Sequence, residues 1–278
     1  MLSYLHSFHA GNHADVLKHA ALSLLLNRLK EKDKPFVYID THAGAGIYDL
    51  KGDEARKNSE FKGGIGRLRQ AHERFPELTD YLRVAQMHDN HYPGSPQVAA
   101  DMLRDGDRLI LMELHNREVR ELRKNLGGDP RVAIHHRDGF EGLTALAPPK
   151  PARGLVLMDP SYEVAEDYEK ALAALAGAAA RWPTGIYMLW YPVLARQRDQ
   201  SRLLRRRLQD CGFNSLLLAE LRVREQQEEF GMCGSALAVV NAPWRFDQQL
   251  RNLLPKLQAL LAEDSGAGWK LEWLIKGG

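Results

Sequence analysis

An acid, a proline, a serine and a tyrosine directly follow an apolar run in the middle of the chain. The run is GLVLM at 154–158, and the tetrad is Asp159-Pro160-Ser161-Tyr162. The carboxylate and the proline's backbone carbonyl can each accept a hydrogen from an exocyclic amine, and a tyrosine ring can stack on an unstacked base. The alternative is an ordinary loop in which Asp159 caps the next helix and Pro160 shapes the turn. The tetrad alone leaves both interpretations open.

A strand-like run near the N-terminus ends in an acid and continues into two glycines separated by one residue. The segment FVYIDTHAGAG spans 36–46 and contains Asp40, Gly44 and Gly46. Such a turn lets a nucleotide-like ligand approach the backbone closely. Asp49 stands where a dinucleotide-binding fingerprint needs its third glycine, and the chain has no Gly-Lys-Ser/Thr sequence for phosphate. The turn therefore suits a cofactor with a ribose and an adenine but no phosphate, such as S-adenosylmethionine, although a plain tight turn is the alternative.

The composition indicates a chain that can bury a full hydrophobic core. Its 278 residues are 44% hydrophobic, which fits one large domain or one domain with an insertion. The 38 basic and 36 acidic residues give a net charge of +2, which does not by itself indicate a nucleic-acid-binding protein. The 2 cysteines form neither a metal pattern nor a disulfide framework, so we expect a reducing, cytoplasmic location. We expect no signal peptide and no membrane-spanning segment.

Strand-like and helix-like runs alternate, which favours a mostly parallel sheet covered on both faces. Strands are predicted near 36–40, 108–112, 132–135, 154–158, 185–190, 215–220 and 235–241. Helices are predicted near 14–31, 117–126, 165–181, 197–210 and 246–262. The segment between the first two strands is too long for an ordinary loop and is charged and helical in composition. We therefore predict an α/β domain formed by 1–51 and 105–278, with an inserted helical subdomain at 52–104.

Four acids lie at or just past the ends of predicted strands, namely Asp40, Glu113, Asp138 and Asp159. In open α/β sheets, ligands bind outside the carboxyl ends of the strands. Glu113 is placed to accept both ribose hydroxyls, and Asp138 to accept from an adenine amine, with Gly139 leaving room for the ring. One such acid is more often a helix cap, but four along one edge favour a binding site.

The first nineteen residues contain four histidines and allow three interpretations. As metal ligands, His6, His9 and His13 would indicate a metal-dependent hydrolase, but no His-Glu-x-x-His motif supports this and we predict no metal site. As a structural element, the segment is a helix start capped by an asparagine. As a substrate clamp, it would contact a base and a phosphate through Tyr4, His6 and Lys18.

A basic segment lies near the fourth predicted helix. Residues 196–207 contain six arginines and one acid, Asp199. In a nucleic-acid-binding protein such a face contacts phosphates, whereas in any protein it can be the solvated face of an amphipathic helix. The sequence leaves both possibilities open.

Several strings together resemble the bacterial family of 23S ribosomal RNA (adenine-2030-N6) methyltransferases, and the likeness covers nearly the whole chain. The strings are SFHAGNHADVLKH at 7–19, DTHAGAG at 40–46, YPGSP at 92–96, DG at 138–139, DPSY at 159–162 and LWYP at 189–192. The resemblance implies a Rossmann-like, S-adenosylmethionine-dependent methyltransferase with a helical insertion. It implies methylation of an adenine N6 amine in 23S ribosomal RNA, with naked or protein-poor RNA as the expected substrate and a monomer as the expected state.

The resemblance also implies roles for single residues. Cofactor contacts are implied at His19, His42, Ser95, Glu113, Asp138 and Gly139, next to the turn at Gly44 and Gly46. Asp159 is implied as the catalytic acceptor, with Tyr4, His6, Lys18, Pro160 and Tyr162 on the substrate side. The usual adenine-N6 tetrad is Asp-Pro-Pro-Tyr, so Ser161 puts the stiffness of the loop in doubt more than its chemistry. Methylation of DNA adenine or another amine is the first alternative, and a metal-dependent hydrolase or a nucleic-acid-binding module is the second.

Overall fold

In the computed structural model, which describes residues 5–88 and 90–277, helices and strands alternate along most of the chain. The strands are β1 (Val37–Asp40), β2 (Ile47–Asp49), β3 (His91–Pro93), β4 (Arg108–Glu113), β5 (Val132–His136), β6 (Gly154–Met158), β7 (Ile186–Leu194), β8 (Leu216–Arg222), β9 (Met232–Val240) and β10 (Gly268–Ile275). The α-helices are α1 (His13–Lys30), α2 (Asp53–Asn58), α3 (Ile65–Gln70), α4 (Thr79–Met87), α5 (Ser95–Met102), α6 (Asn116–Leu126), α7 (Gly139–Leu146), α8 (Glu166–Arg181), α9 (Ser201–Gln209) and α10 (Phe246–Leu261). Short 3-10 helices occupy His6–Phe8, Glu60–Lys62, His72–Arg74 and Pro76–Leu78.

The main sheet has eight strands in the order β10-β8-β9-β7-β6-β1-β4-β5. The five strands from β7 to β5 are parallel, and β9, β8 and β10 complete the sheet in antiparallel pairing. The parallel part has the Rossmann arrangement, in which the chain begins in the middle and builds outwards in both directions. Every residue of β1 and β6 is buried, as expected for parallel strands with helices on both faces. The predicted α/β class is confirmed, and each of the seven predicted strands is present, whereas β2, β3 and β10 were not predicted.

Helices cover both faces of this sheet. Helices α1 and α10 lie on one face together with helices of the 52–104 segment, and α7, α8 and α9 lie on the other. None of the helices within 5–88 and 90–277 is long and apolar enough to cross a membrane.

Helix α1 is an almost entirely buried helix that carries polar residues into the centre of the fold. It starts at an asparagine cap, since the Asn12 side chain accepts hydrogens from the backbone N–H groups of Ala14 and Asp15. The helix packs against α4, α5, α10 and β6, so most of its side chains are buried. Asp15, Lys18 and His19 lie on one face because residues three and four apart are neighbours on a helix.

The segment 52–104 packs on the sheet domain over a shared hydrophobic core that includes side chains of α1, α3 and α4. Strand β2, just before the segment, pairs antiparallel with β3 inside it. Helix α5 differs from the expectation: it packs against β1 and β4 and is the crossover helix between these two parallel strands. Residues 95–102 therefore belong with the sheet. Whether the remaining helices form a subdomain of their own stays a prediction.

Candidate active site

The predicted acids lie along one edge of the sheet, around the point where the strand order reverses. Asp40 ends β1 and is in register with Leu111 of β4 and Leu157 of β6, so the chain leaves all three strands at the same edge. Glu113 ends β4, and Asp159 directly follows β6. The crevice between β1 and β6 is the switch point at which open α/β sheets bind their ligands.

The glycine turn after β1 is held against the ends of the neighbouring strands. Ala43 donates its N–H to the carbonyl of Met112 at 2.9 Å, and Gly44 donates its N–H to Glu113 Oε2 at 2.8 Å. Gly44 and Gly46 have φ values of +61° and +82°, the left-handed region that favours glycine. A Cβ atom on Gly44 would also lie 2.1 Å from the Tyr48 hydroxyl oxygen. The backbone conformation of the turn therefore requires glycine at both positions.

Glu113 and Asp138 stand on the other side of this turn. Glu113 accepts hydrogens from two backbone N–H groups, Gly44 at Oε2 and His115 at Oε1, the latter at 2.6 Å. Burial raises the pKa of Glu113, and these two donors offset part of that effect. Asp138 caps α7 with one oxygen, Oδ1. At Gly139 a Cβ would lie 1.9 Å from the Thr41 carbonyl oxygen, so the glycine permits backbone packing here.

Asp40 is a fully buried carboxylate beneath the site. It accepts hydrogens from the Tyr38 hydroxyl at 2.7 Å, the Ser95 hydroxyl at 2.7 Å and the His42 backbone N–H at 3.2 Å. Burial raises the pKa of Asp40 to about 6, although these three donors lower it in part. In this structure Ser95, the first residue of α5, gives its hydrogen to Asp40, so its predicted cofactor contact would use the hydroxyl oxygen as an acceptor.

Two histidines, His19 buried and His42 half-buried, complete this side of the site. Burial lowers the pKa of His19 to about 3 and that of His42 to about 4, so both rings are neutral at physiological pH. His19 Nδ1 lies 2.6 Å from the Tyr92 hydroxyl, while its Nε2 is buried and has no hydrogen-bond partner among the described residues. A buried polar atom without a partner is uncommon in native proteins. A ligand that hydrogen-bonds to His19 Nε2 would supply the missing partner.

These residues fit S-adenosylmethionine. The glycine turn allows close approach of a ligand, Glu113 can accept from ribose hydroxyls, and Asp138 has a second oxygen beyond the one that caps α7. The unpartnered His19 Nε2 provides a further polar contact. His19, His42, Gly44, Gly46, Ser95, Glu113, Asp138 and Gly139 all surround the same strand ends, and their individual contacts with the cofactor stay predictions.

A chain of buried ion pairs leads to Asp159. Lys18 Nζ lies 2.5 Å from Asp159 Oδ2 and 2.8 Å from Asp15 Oδ1. Asp15 Oδ2 lies 2.8 Å from His6 Nε2. Lys18 also stands over the ring of Trp190, 5.6 Å from its centroid. The N-terminal turn, α1 and the end of β6 are thus tied together at the candidate catalytic carboxylate.

This geometry bears on the expected substrate-side role of Lys18, which stays a prediction. The residue is 3% exposed and its ammonium is bound by Asp15 and Asp159, so it is not a free phosphate contact. Burial alone would lower the pKa of Lys18, but the two carboxylates outweigh it and raise that pKa. His6 is half-buried against Asp15 and not held out towards solvent. Tyr4, the third predicted clamp residue, lies outside the described residues.

Tyr162 also differs from the expectation of an open stacking face. It has a φ of +52° and is 6% exposed, its ring packs on Tyr168 with centroids 4.3 Å apart, and its hydroxyl donates to the Trp190 carbonyl at 2.8 Å. The turn at Ser161 therefore directs the tyrosine into the core beside Pro160. Stacking on a base stays a prediction that requires one face of the ring to open.

The histidines proposed as metal ligands contact different acids. His6 pairs with Asp15, and His9 Nδ1 lies 3.0 Å from Glu60 Oε1. Burial lowers the pKa of His13 to about 4. Across 5–88 and 90–277 no three His, Cys, Asp or Glu side chains are grouped as a metal site requires.

Two residues of the site were missed by sequence reasoning. Asp15 precedes Lys18 by three residues on α1, a spacing that could have revealed the ion pair. Trp190, in the middle of β7, belongs to the LWYP string, and nothing local to it predicts contact with Lys18.

Comparisons with known proteins identify the family of this chain. A family described as "Ribosomal RNA large subunit methyltransferase D, RlmJ" matches residues 33–275. Over 280 aligned positions the chain is 41% identical to ribosomal RNA large subunit methyltransferase J of Haemophilus influenzae and 42% identical to that of Escherichia coli K12, with 99% of each chain covered. A crystal structure of a Legionella pneumophila protein superimposes with a TM-score of 0.86 and 34% identity, covering 95% of this chain and 98% of that one. The chain therefore belongs to the family of ribosomal RNA large subunit methyltransferase J.

Proposed function

We propose that this protein is an S-adenosylmethionine-dependent methyltransferase that methylates the N6 amine of an adenine in 23S ribosomal RNA. The observation that carries the proposal is the position of Asp159-Pro160 at the switch point, beside a glycine turn that fits the cofactor. Membership of the family supports the RNA substrate, since its curated relatives are named large-subunit ribosomal RNA methyltransferases.

The chemistry follows from the acceptors at this edge. Bound S-adenosylmethionine supplies a methyl group already activated by a sulfonium. The Asp159 carboxylate and the Pro160 carbonyl accept the two N6 hydrogens, which turns the nitrogen lone pair out of conjugation with the ring. The cofactor, when bound, would supply the methyl group to this nitrogen, and Asp159 would take up the N6 proton that is released. Because the donor is already activated, positioning supplies much of the acceleration.

The substrate must present its adenine unstacked. The Asp159 side chain is only 14% exposed, so a base has to rotate out of its RNA context to reach it. Protein-poor RNA allows that rotation most easily, and we propose it as the form acted on, in the cytoplasm. The expected monomeric state is kept as part of this proposal.

An arginine row on α9 supports RNA binding. Arg205 and Arg207 are neutralised by ion pairs with Glu272 and Glu169. Arg202 and Arg206 are exposed, and their spacing of four places them in one line on the helix. Helix α9 follows β7, whose carboxyl end lies at the same edge as Asp159. The possibility that segment 196–207 is only a solvated helix face therefore holds for Arg205 and Arg207, which are already in ion pairs. Arg202 and Arg206 are available to contact RNA phosphates.

Replacing Arg202 and Arg206 together with glutamine is expected to raise the KM for RNA about tenfold and leave cofactor affinity unchanged. Two lost phosphate contacts should also make the slope of log affinity against log salt shallower by roughly 1 to 2. Initial-rate methylation assays measure the KM, and filter-binding titrations over a salt series measure the slope. Arg251→Gln, an exposed arginine on α10 across the sheet, is the matched control. Equal KM and equal slope in the double variant and the control would show that the row is only solvated.

The decisive test of the proposed function is a map of methylated adenines. Ribosomal RNA from cells with and without the gene should differ at one N6-methyladenine in 23S RNA by mass spectrometry, and the purified protein should restore it on deproteinised RNA. DNA carrying the same sequence serves as the competing substrate. Identical maps from the two strains, or faster methylation of the DNA, would contradict the proposal.

A further inference from the structure

Asp15 is a buried carboxylate beside the active site, and none of the roles above uses it. Its side chain is 1% exposed. Oδ2 accepts the Gly11 backbone N–H at 2.8 Å and lies 2.8 Å from His6 Nε2. Because α1 is packed on all sides, these contacts fix the carboxylate in position. Asp15 is therefore a rigid anion at the back of the site.

Lys18 is shared unequally between two carboxylates. It donates a hydrogen bond of 2.5 Å to Asp159 Oδ2. Asp15 Oδ1 lies within ion-pair distance, at 2.8 Å, but receives no aligned hydrogen bond. Asp15 Oδ1 is nevertheless close enough to hold the same ammonium.

The target amine and Lys18 compete for Asp159. An ammonium bound to Oδ2 withdraws charge from the carboxylate and weakens it as an acceptor for N6 hydrogens. A buried ammonium without a carboxylate partner is strongly disfavoured, so Lys18 can leave Asp159 only if another carboxylate receives it. Among the described residues, Asp15 is already in contact and requires the smallest movement.

We propose that Asp15 is a positioning residue that receives the Lys18 ammonium when the target adenine engages Asp159. Lys18 then stays charged and buried throughout, bonded mainly to Asp159 before the base enters and mainly to Asp15 afterwards. The inference rests on the proposed function, because it needs an amine substrate at Asp159. It assigns Asp15 no contact with the substrate, and no covalent bond changes in the exchange.

Among the described residues, the charged and titratable groups that face Lys18 are Asp15 and His19 on its own helix, His6 from the N-terminal turn, Tyr81 of α4 and Asp159 after β6. His19 is neutral, and the ion pairs with His6 and Lys18 outweigh the effect of burial and hold the pKa of Asp15 well below its usual range. If Asp15 loses its charge, Asp159 is the one carboxylate left to Lys18, and the adenine amine then binds to Asp159 in its place. Lys18 should therefore lose its proton at lower pH during turnover.

Asp15→Asn tests the proposal and retains an acceptor for the Gly11 N–H. We expect kcat on 23S RNA to fall at least tenfold while the KM for S-adenosylmethionine stays within twofold. An alkaline decline in kcat should appear at lower pH than in the wild type. Asp107→Asn is the matched control: Asp107 is also fully buried, pairs with Arg104 and accepts a backbone N–H, but at the opposite edge of the sheet.

Asp15→Glu covers the case in which Asp15→Asn does not fold. It keeps the charge but displaces the carboxylate by one methylene, and should lower kcat without changing the cofactor KM or the melting temperature. A wild-type kcat and pH profile in Asp15→Asn would overturn the proposal, as would parallel loss of kcat, cofactor affinity and melting temperature in both variants. Failure of the wild type to methylate RNA would instead refute the proposed function, so the two failures are distinguishable.

Discussion

Asp159→Ala is expected to reduce methyl transfer to RNA by about 10²- to 10⁴-fold, the range typical for loss of a catalytic proton acceptor or of transition-state stabilisation. The carboxylate acts on the adenine amine, so cofactor affinity should change little. The fold should survive, because Lys18 keeps Asp15 as a partner at 2.8 Å. Single-turnover methylation with labelled cofactor measures the rate, and calorimetry measures cofactor binding.

The control for this variant is Asp129→Ala. Asp129 resembles Asp159 in burial, with 21% exposure against 14%, and in its ion pair, which joins it to Arg131 at 2.6 Å. It lies just before β5, at the edge of the sheet away from the site. Asp159→Asn should retain a trace of activity because its carbonyl still accepts one hydrogen. Normal turnover by Asp159→Ala would refute the role of amine acceptor.

The parallel sheet and the line of acids at its edge could be predicted because both depend on local sequence. Short apolar runs that end in an acid identify buried strands, and parallel strands place their carboxyl ends together. This argument located Asp40, Glu113 and Asp159 correctly at one edge. Strand β10 was missed because its half-buried residues alternate with charges and resemble a loop.

The partners of Lys18 could not be predicted in full. Asp159 is 141 residues away, and the contact depends on how α1 packs beneath the ends of β1 and β6. A helix that is buried on all sides has no apolar stripe to show which face meets the sheet. The sequence therefore indicated Lys18 as a candidate substrate-binding residue but left open whether it faces solvent or a buried acid.

The orientation of Tyr162 was unpredictable for a different reason. A tyrosine with positive φ is uncommon, and no residue type in the tetrad requires it. The conformation is fixed by tertiary contacts with Tyr168 and Trp190, which belong to α8 and β7. A strained backbone conformation of this kind persists where several tertiary contacts fix it, as they do at Tyr162 next to Asp159.

Glu113→Ala is expected to weaken S-adenosylmethionine binding about 10- to 100-fold, which corresponds to about 1.4 to 2.7 kcal/mol. Two losses combine in this variant. The ribose hydroxyls lose their predicted acceptor, and the backbone N–H groups of Gly44 and His115 lose the carboxylate that holds the glycine turn in shape. Calorimetry with the cofactor or its demethylated product, without added metal, measures the effect.

Glu113→Gln separates these two losses. The glutamine carbonyl can accept one backbone N–H, but its amide group cannot accept the other, so the turn loses one of its two anchors. We expect an affinity between those of the wild type and Glu113→Ala. Glu220→Ala is the control, because Glu220 is also a half-buried strand carboxylate but lies on β8, away from the site. Unchanged affinity in Glu113→Ala, or binding that appears only with zinc, would show that the cofactor binds elsewhere. Among the described residues, no other carboxylate binds the N–H of Gly44, so no second acid could replace Glu113 at the turn.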